Sequence, residues 1–299
     1  MIMPQPQLEV RWAETFDSFG SLSEPHFRAL SQLIEAQVGI KLPPAKRFML
    51  EGRLQKRVRA LGLSSIGEYV DALFHEDQFE DELVHLIDVV TTNKTDFFRE
   101  PAHFDFLRHT AIPELMKLRG GAGRVHGLKL WSAAASTGME AYTMAIVLDD
   151  MVRSGLRAEF RILGTDISNP VLRMAQKAIY DIEALTPVPE PLAKRYFLRS
   201  RDPSRAECRV VPELRSRVNF QRMNLMDATY PVDRDVDVIF CRNVVIYFDD
   251  ATQERVWRRF TPLMTPGATL YIGHSERVSG PATSQLQTAG LTTYRLGAA

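Results

Sequence analysis

Three features of the sequence predict an α/β protein. Short apolar runs alternate with helical patterns beyond residue 127, which argues for a doubly wound, mostly parallel, Rossmann-like sheet. A proline-bearing stretch at 187–222 breaks that rhythm with short strand-like pieces and reads as an inserted small antiparallel β-subdomain. Residues 21–92 show helical spacing with no strand pattern, giving a small all-helical N-terminal domain ahead of the sheet.

The helical block starts after a loose tail expected at 1–20. Ser23 is placed to cap a helix with Pro25 in its first turn. Phe27, Leu30, Ile34 and Val38 form one apolar face, and Gly39 is a stop signal. A second helix from about Pro44 carries Leu50, Leu54, Val58 and Leu61 on one side. Its other faces hold Lys46, Arg47, Arg53, Lys56, Arg57 and Arg59 against Glu51 alone. Further patterns cover Ile66–Phe74 and Leu83–Val90, the last begun by the acidic turn Glu80–Glu82.

Residues 93–126 read as a linker and helix, and 127–299 as the sheet domain. Strands are expected at Leu128–Ala133, Phe160–Gly164, Val236–Cys241 and Thr269–Gly273, and helices at Tyr142–Met151, Pro170–Ile179 and Thr252–Leu263. The run Val236–Cys241, apolar but for Asp237, reads as a strand buried on both faces. Within the insert, strands are expected at Tyr196–Leu198, Arg209–Val211 and Val218–Phe220.

Composition narrows the function. The chain has 299 residues, 45% hydrophobic and 25% charged, ordinary for a globular protein of about two domains. Thirty-seven Lys+Arg balance 37 Asp+Glu, so a global polyanion-binding role is disfavoured and no nucleic-acid partner is expected. The two cysteines, Cys208 and Cys241, stand in neither C-x-x-C nor zinc-finger spacing. That disfavours a disulfide framework and a structural zinc, and favours a reducing compartment. No run approaches the ~18 apolar residues of a membrane span, and the N-terminus lacks a basic n-region and an apolar h-region. A cytoplasmic, monomeric protein without membrane insertion or bound metal is expected.

Four segments carry chemistry. The first strand runs into Trp131–Glu140, whose small residues let a ligand approach the backbone. Gly138 is its one glycine, so this is not a G-x-G-x-x-G pyrophosphate loop. The second strand ends in Thr165-Asp166; an acidic residue there accepts from a ribose diol, or else caps the following helix. Thr91–Glu100 is polar, then aromatic, then cationic. Cys241–Asp249 sets Arg242, Asn243 and Tyr247 at the same carboxyl edge.

Several of these segments resemble, in the same order, those of the chemotaxis receptor glutamate methyltransferases, the CheR family. They are Asn93–Glu100, Trp131–Gly138 with Glu140 and Tyr142, Gly164–Ile167, Phe240–Asp249 and Gly273–Glu276. The resemblance spans roughly residues 25–295. It implies S-adenosylmethionine as methyl donor, S-adenosylhomocysteine as product, and receptor glutamate side chains as acceptors. By position it puts cofactor contacts on Asn93, Thr95, Arg99, Glu140, Asp166, Asn224, Leu225, Arg242 and Asn243. The family has two adjacent glutamates after the loop glycine; here the first is Met139 and the second, Glu140, remains.

The chemistry suits these residue types. An acceptor carboxylate, with a pKa of about 4.3, is ionised at neutral pH and needs no strong base. Arg99 and Tyr247 are the candidates for orienting it, by guanidinium fork and hydroxyl. The basic face of the second helix, with Arg53, Lys56, Arg57 and Arg59, is implied to face the receptor's cytoplasmic helical bundle. The insert resembles a β-subdomain that in some members docks a C-terminal receptor pentapeptide. There its first loop is glycine-rich, whereas Arg199–Ala206 holds no glycine, which puts this tether in doubt. A rival reading is a non-catalytic module that senses the cofactor; another is a methyltransferase for small molecules or RNA.

Overall fold

The computed structural model describes residues 19–75, 79–120 and 127–297. Most of the expected N-terminal tail lies outside what is described. The chain divides into two compact units between Thr91 and Thr92.

The first unit is helical: α1 (Glu24–Val38), α2 (Arg47–Leu61), α3 (Ile66–His75) and α4 (Phe79–Val90). Ser23 caps α1 by accepting from the His26 amide, and Gly39 closes it in the left-handed region. Phe27, Leu30, Ile34 and Val38 are buried, as their spacing predicts. Helix α2 starts three residues later than expected, because Pro44–Lys46 forms a 3-10 turn. Leu61 is exposed, since it ends α2 just before the left-handed Gly62.

The second unit opens with α5 (Pro101–Phe106) and α6 (Ile112–Leu118), joined by a π-turn over Leu107–Ala111. Pro113, lacking an N–H, sits where the wider turn ends. There follow β1 (Leu128–Ala133), α7 (Met139–Arg153), β2 (Phe160–Asp166), α8 (Asn169–Lys177), β3 (Ile179–Asp181), α9 (Glu190–Tyr196), β4 (Phe197–Arg199), β5 (Glu207–Val210), α10 (Pro212–Arg215), β6 (Val218–Arg222), β7 (Val236–Cys241), α11 (Asp250–Phe260), β8 (Met264–Ile272), β9 (Leu286–Gly290) and β10 (Thr293–Leu296). Seven strands form one sheet in the order β6-β2-β1-β7-β8-β10-β9, parallel except for the β8-β10-β9 edge. Three more form a small antiparallel sheet, β3-β5-β4. Strand β7 is buried throughout. Among the described residues no helix is long and apolar enough to cross a membrane.

The insert differs from its expected limits. It begins at Ile179, which is β3 and not the end of a helix, and Tyr196 ends α9 before β4 starts. Val218–Phe220 belongs to the main sheet as edge strand β6, parallel to β2. Val218 and Phe220 are buried while Asn219 is exposed. This one-sided alternation marks an edge strand without saying which sheet it borders. The β9–β10 hairpin is not foreshadowed by the strand patterns of the sequence.

Gly138 shows why the loop after β1 needs glycine. Its φ is +86°, and a Cβ there would lie 2.8 Å from both Ala175 Cβ and Phe220 Cζ. The residue is required for packing the start of α7 against the sheet, not for cradling a phosphate.

Candidate active site

Strand β1 pairs with β2 on one side and β7 on the other. The chain leaves β1 towards β2 and later returns to its opposite side. Such a switch point opens a crevice at the carboxyl ends of the strands. All the cofactor and catalytic candidates lie at these ends or in the segment leading to α5.

One network centres on Asp166, the last residue of β2. Its carboxylate accepts from the Ser136 amide at 2.8 Å and the Ser168 amide at 3.0 Å. It therefore both caps the next helix and pins the loop after β1. Ser136 in turn donates through its hydroxyl to the Asn93 carbonyl at 2.9 Å. The Asp166 carbonyl accepts from the Met223 amide, also at 2.9 Å, which brings up Asn224 and the buried Leu225. Thr95, two residues beyond Asn93, is half-buried.

A second network centres on Arg242, whose side chain is 1% exposed. Its guanidinium reaches Glu100 at 3.0 Å and Glu140 at 3.2 Å, and donates to the Arg99 carbonyl. Glu140 also accepts from the Ser132 hydroxyl at 2.7 Å, and Glu100 from the Asn243 side-chain amide at 3.2 Å. Burial raises the Glu140 carboxyl, against the pull of Arg242. Burial works the same way on Glu100, but Arg242 and Asn243 outweigh it and hold that carboxyl below its usual range. His103 is buried, pushed down to about 4 by desolvation and by Arg242, and is neutral at pH 7. One guanidinium thus stands between two carboxylates. Glu100, His103 and His274 bring metal-competent atoms within 4.8 Å of one another. Glu100 is already engaged by Arg242, and His103 by Thr292 at 2.9 Å.

Arg99 donates to the Lys94 carbonyl at 3.0 Å. Tyr247 closes a 3-10 turn, Val245–Tyr247, and is half-buried. The backbone here is strained. Of eight described non-glycine residues with positive φ, five (Phe98, Glu100, Ala134, Ser136 and Asn243) lie in these segments. Such strain, of order 1–3 kcal/mol per residue, persists where surrounding contacts over-determine it and clusters at functional sites.

Two of the four basic residues of α2 implied to face a receptor are engaged inside the helical unit. Arg57 makes a two-pronged ion pair with Glu82 at 2.7 and 2.9 Å. Arg53 donates to the carbonyls of Val89, Val90 and Thr91 at the end of α4. Both tie α2 to α4. Lys56 and Arg59 are exposed, with Arg59 over the Phe19 ring at 5.4 Å.

The family models give the identity. Residues 93–295 match the CheR methyltransferase SAM-binding domain, and residues 25–91 the CheR methyltransferase all-alpha domain. The chain belongs to the CheR methyltransferase family. A chemotaxis protein methyltransferase of Klebsiella aerogenes is 44% identical over 262 residues, covering 86% of this chain and 85% of the relative. That of Escherichia coli is 41% identical over 259 residues, covering 87% and 86%. That of Salmonella typhimurium is 40% identical over 276 residues, covering 92% and 91%.

This CheR protein is therefore an S-adenosylmethionine-dependent methyltransferase of chemotaxis, as the resemblance implies. Its residues fit that cofactor: an aspartate at the tip of β2, as a nucleoside needs, and a carboxylate, Glu140, at the Arg242 hub, as a cation needs. Glu100, Ser132, Ser136 and Glu276 join the site without having been expected there. Glu100 and Glu276 stand inside segments that carry the resemblance, but nothing local marks which carboxylate turns inward.

Removing the hub is a direct check. Arg242→Leu leaves two carboxylates largely buried without their cation and should cost about 3–5 kcal/mol in urea denaturation at pH 7. Both carboxyls must titrate higher in the variant, so the gap between parent and variant is full above those raised values. It should close as pH falls through them, when protonation relieves the variant. A gap below about 1 kcal/mol, or one widening in acid, would contradict the geometry.

Proposed function

We propose that this CheR methyltransferase esterifies glutamate side chains on the cytoplasmic helical bundle of chemoreceptors, acting in the cytoplasm. The carrying observation is the charge pattern at the carboxyl edge, with Arg242 bracketed by Glu100 and Glu140 and with Asp166 at the end of β2, two strands from β7. We assign cofactor contacts to Asn93, Thr95, Arg99, Glu140, Asp166, Asn224, Leu225, Arg242 and Asn243. The cofactor, when bound, supplies a methyl group on a cationic sulfur. Asp166 holds the ribose hydroxyls in this reading, and Glu140 balances the cofactor's positive charge.

The acceptor glutamate arrives ionised, so the protein has to position it and exclude water rather than deprotonate it. Positioning of this kind is worth roughly 7–11 kcal/mol. Arg99 keeps guanidinium donors beyond the one given to Lys94, and its charge acts on Glu140. Tyr247 offers a hydroxyl from a turn four residues past Asn243. These two are our candidates for orienting the acceptor carboxylate.

Receptor contact on α2 falls chiefly to Lys56 and Arg59, since Arg53 and Arg57 are engaged within the helical unit. No pentapeptide tether enters the proposal. The loop between β4 and β5 is closed by Asp202, which accepts from the Ser204 amide and hydroxyl at 3.0 and 2.6 Å.

Mass spectrometry of a receptor cytoplasmic fragment incubated with the enzyme and S-adenosylmethionine tests the acceptor. Base-labile methyl esters on glutamates are expected; base-stable methylation on nitrogen would sink the assignment. The double variant Lys56→Ala, Arg59→Ala should raise the receptor KM and flatten its dependence on salt, with cofactor affinity unchanged. Arg57→Ala should instead lower the melting temperature. If Arg57→Ala alone reproduced the KM effect without loss of stability, the division of roles within α2 would be wrong.

A further inference from the structure

The turn after β8 holds a buried carboxylate that no step above uses. Glu276 is 7% exposed. Among the described residues its charge is met by backbone amides. One oxygen accepts from the Asn243 amide at 3.0 Å and the Gly273 amide at 2.5 Å, and the other from the Ile246 amide at 3.2 Å. The Val245 amide adds to the same cage. Strands β7 and β8 are parallel neighbours, with Cys241 opposite Ile272. The loop leaving β7 and the turn leaving β8 thus emerge side by side, and Glu276 bolts one to the other.

The loop requires such a bolt. Asn243 has a φ of +58°, and Val244 departs from regular geometry at −120°, −40°. Amides turned inward by a left-handed residue form a concavity that favours an anion. Here the anion is supplied from within the chain, and hydrogen bonds to a charged acceptor are roughly twice as strong as neutral ones. Gly273 leaves space for the arrangement. A Cβ there would lie 2.5 Å from Asn243 Nδ2 and 2.9 Å from Glu276 Oε2.

We infer that Glu276 is a positioning residue for methyl transfer: its carboxylate fixes the 242–247 loop and thereby aims Tyr247 at the acceptor. The inference rests on the proposal that Tyr247 orients the acceptor carboxylate. Glu276→Gln keeps the size of the side chain but replaces one acceptor oxygen with an NH2 group facing backbone N–H donors. The loop must then shift, while Asp166, held by the Ser136 and Ser168 amides, stays where it is.

A double-mutant cycle on kcat separates aiming from mere support of the fold. Glu276→Gln, Tyr247→Phe and the double variant are assayed with saturating S-adenosylmethionine and a receptor fragment that the parent methylates. Each single variant should lose at least tenfold in kcat, with receptor KM within about threefold of the parent. The double variant should be no slower than the worse single, because Glu276 acts through Tyr247. If the two losses multiply, Glu276 supports the enzyme independently and the inference is overturned. A parental kcat in Glu276→Gln overturns it equally. A parental kcat in Tyr247→Phe shows a different failure, that of the role given to Tyr247, and the inference falls with it. Gly273→Ala presses on the same bolt from the strand side and goes through the same cycle, so the outcome does not depend on one variant folding.

Discussion

The buried guanidinium of Arg242 is the constraint on which the active-site edge depends. A charge taken out of water costs several kcal/mol unless its surroundings return that energy. Here the return comes from Glu100, Glu140 and the Arg99 carbonyl, which belong to the segment before α5 and the start of α7. To satisfy one side chain, the protein must bring the ends of β1 and β7 and the approach to α5 to a single point. Phe104 and Phe240, whose rings stack at 5.4 Å, line the guanidinium at 5.6 Å each and close it off from solvent.

Carboxylates also hold the loops and helix starts at this edge, among them the left-handed Ser136 and Asn243. Asp166 accepts from the amides of Ser136 and Ser168, Glu276 from those of Asn243, Ile246 and Gly273, and Asp249 from that of Thr252 at 2.8 Å. Each lies at or beyond the carboxyl end of a strand. Glu100 and Glu140 likewise hold the Arg242 side chain, and in the proposed function Glu140 also meets the cofactor's positive charge. Structure and recognition therefore draw on one set of charges, so a variant at either glutamate of the Arg242 hub changes both.

Much of this was legible in the sequence. Largely apolar runs located β1 and β7 to the residue, and 3.6-residue spacing located the buried face of α1 and, but for Leu61, that of α2. The segments Asn93–Glu100, Trp131–Glu140 and Cys241–Asp249 converge at one edge of the sheet. What the sequence hid is pairing. Val218–Phe220 alternates as a half-buried strand in either sheet would, and only its partner β2 decides. Arg53 and Arg57 read as a charged surface because their partners, the end of α4 and Glu82, lie 25 or more residues away. Glu276 reads as one more polar turn residue for the same reason.

The central claim is that the cofactor lies along this edge, between the Asp166 clamp and the Arg242 hub. A crystal structure of the enzyme with S-adenosylhomocysteine tests it most directly. The account predicts ribose hydroxyls within hydrogen-bond distance of the Asp166 carboxylate, and the amino group of the homocysteine moiety on the Glu140 side of Arg242. A nucleoside bound away from Asp166, or an amino group paired elsewhere with Glu140 still facing Arg242 alone, would contradict it.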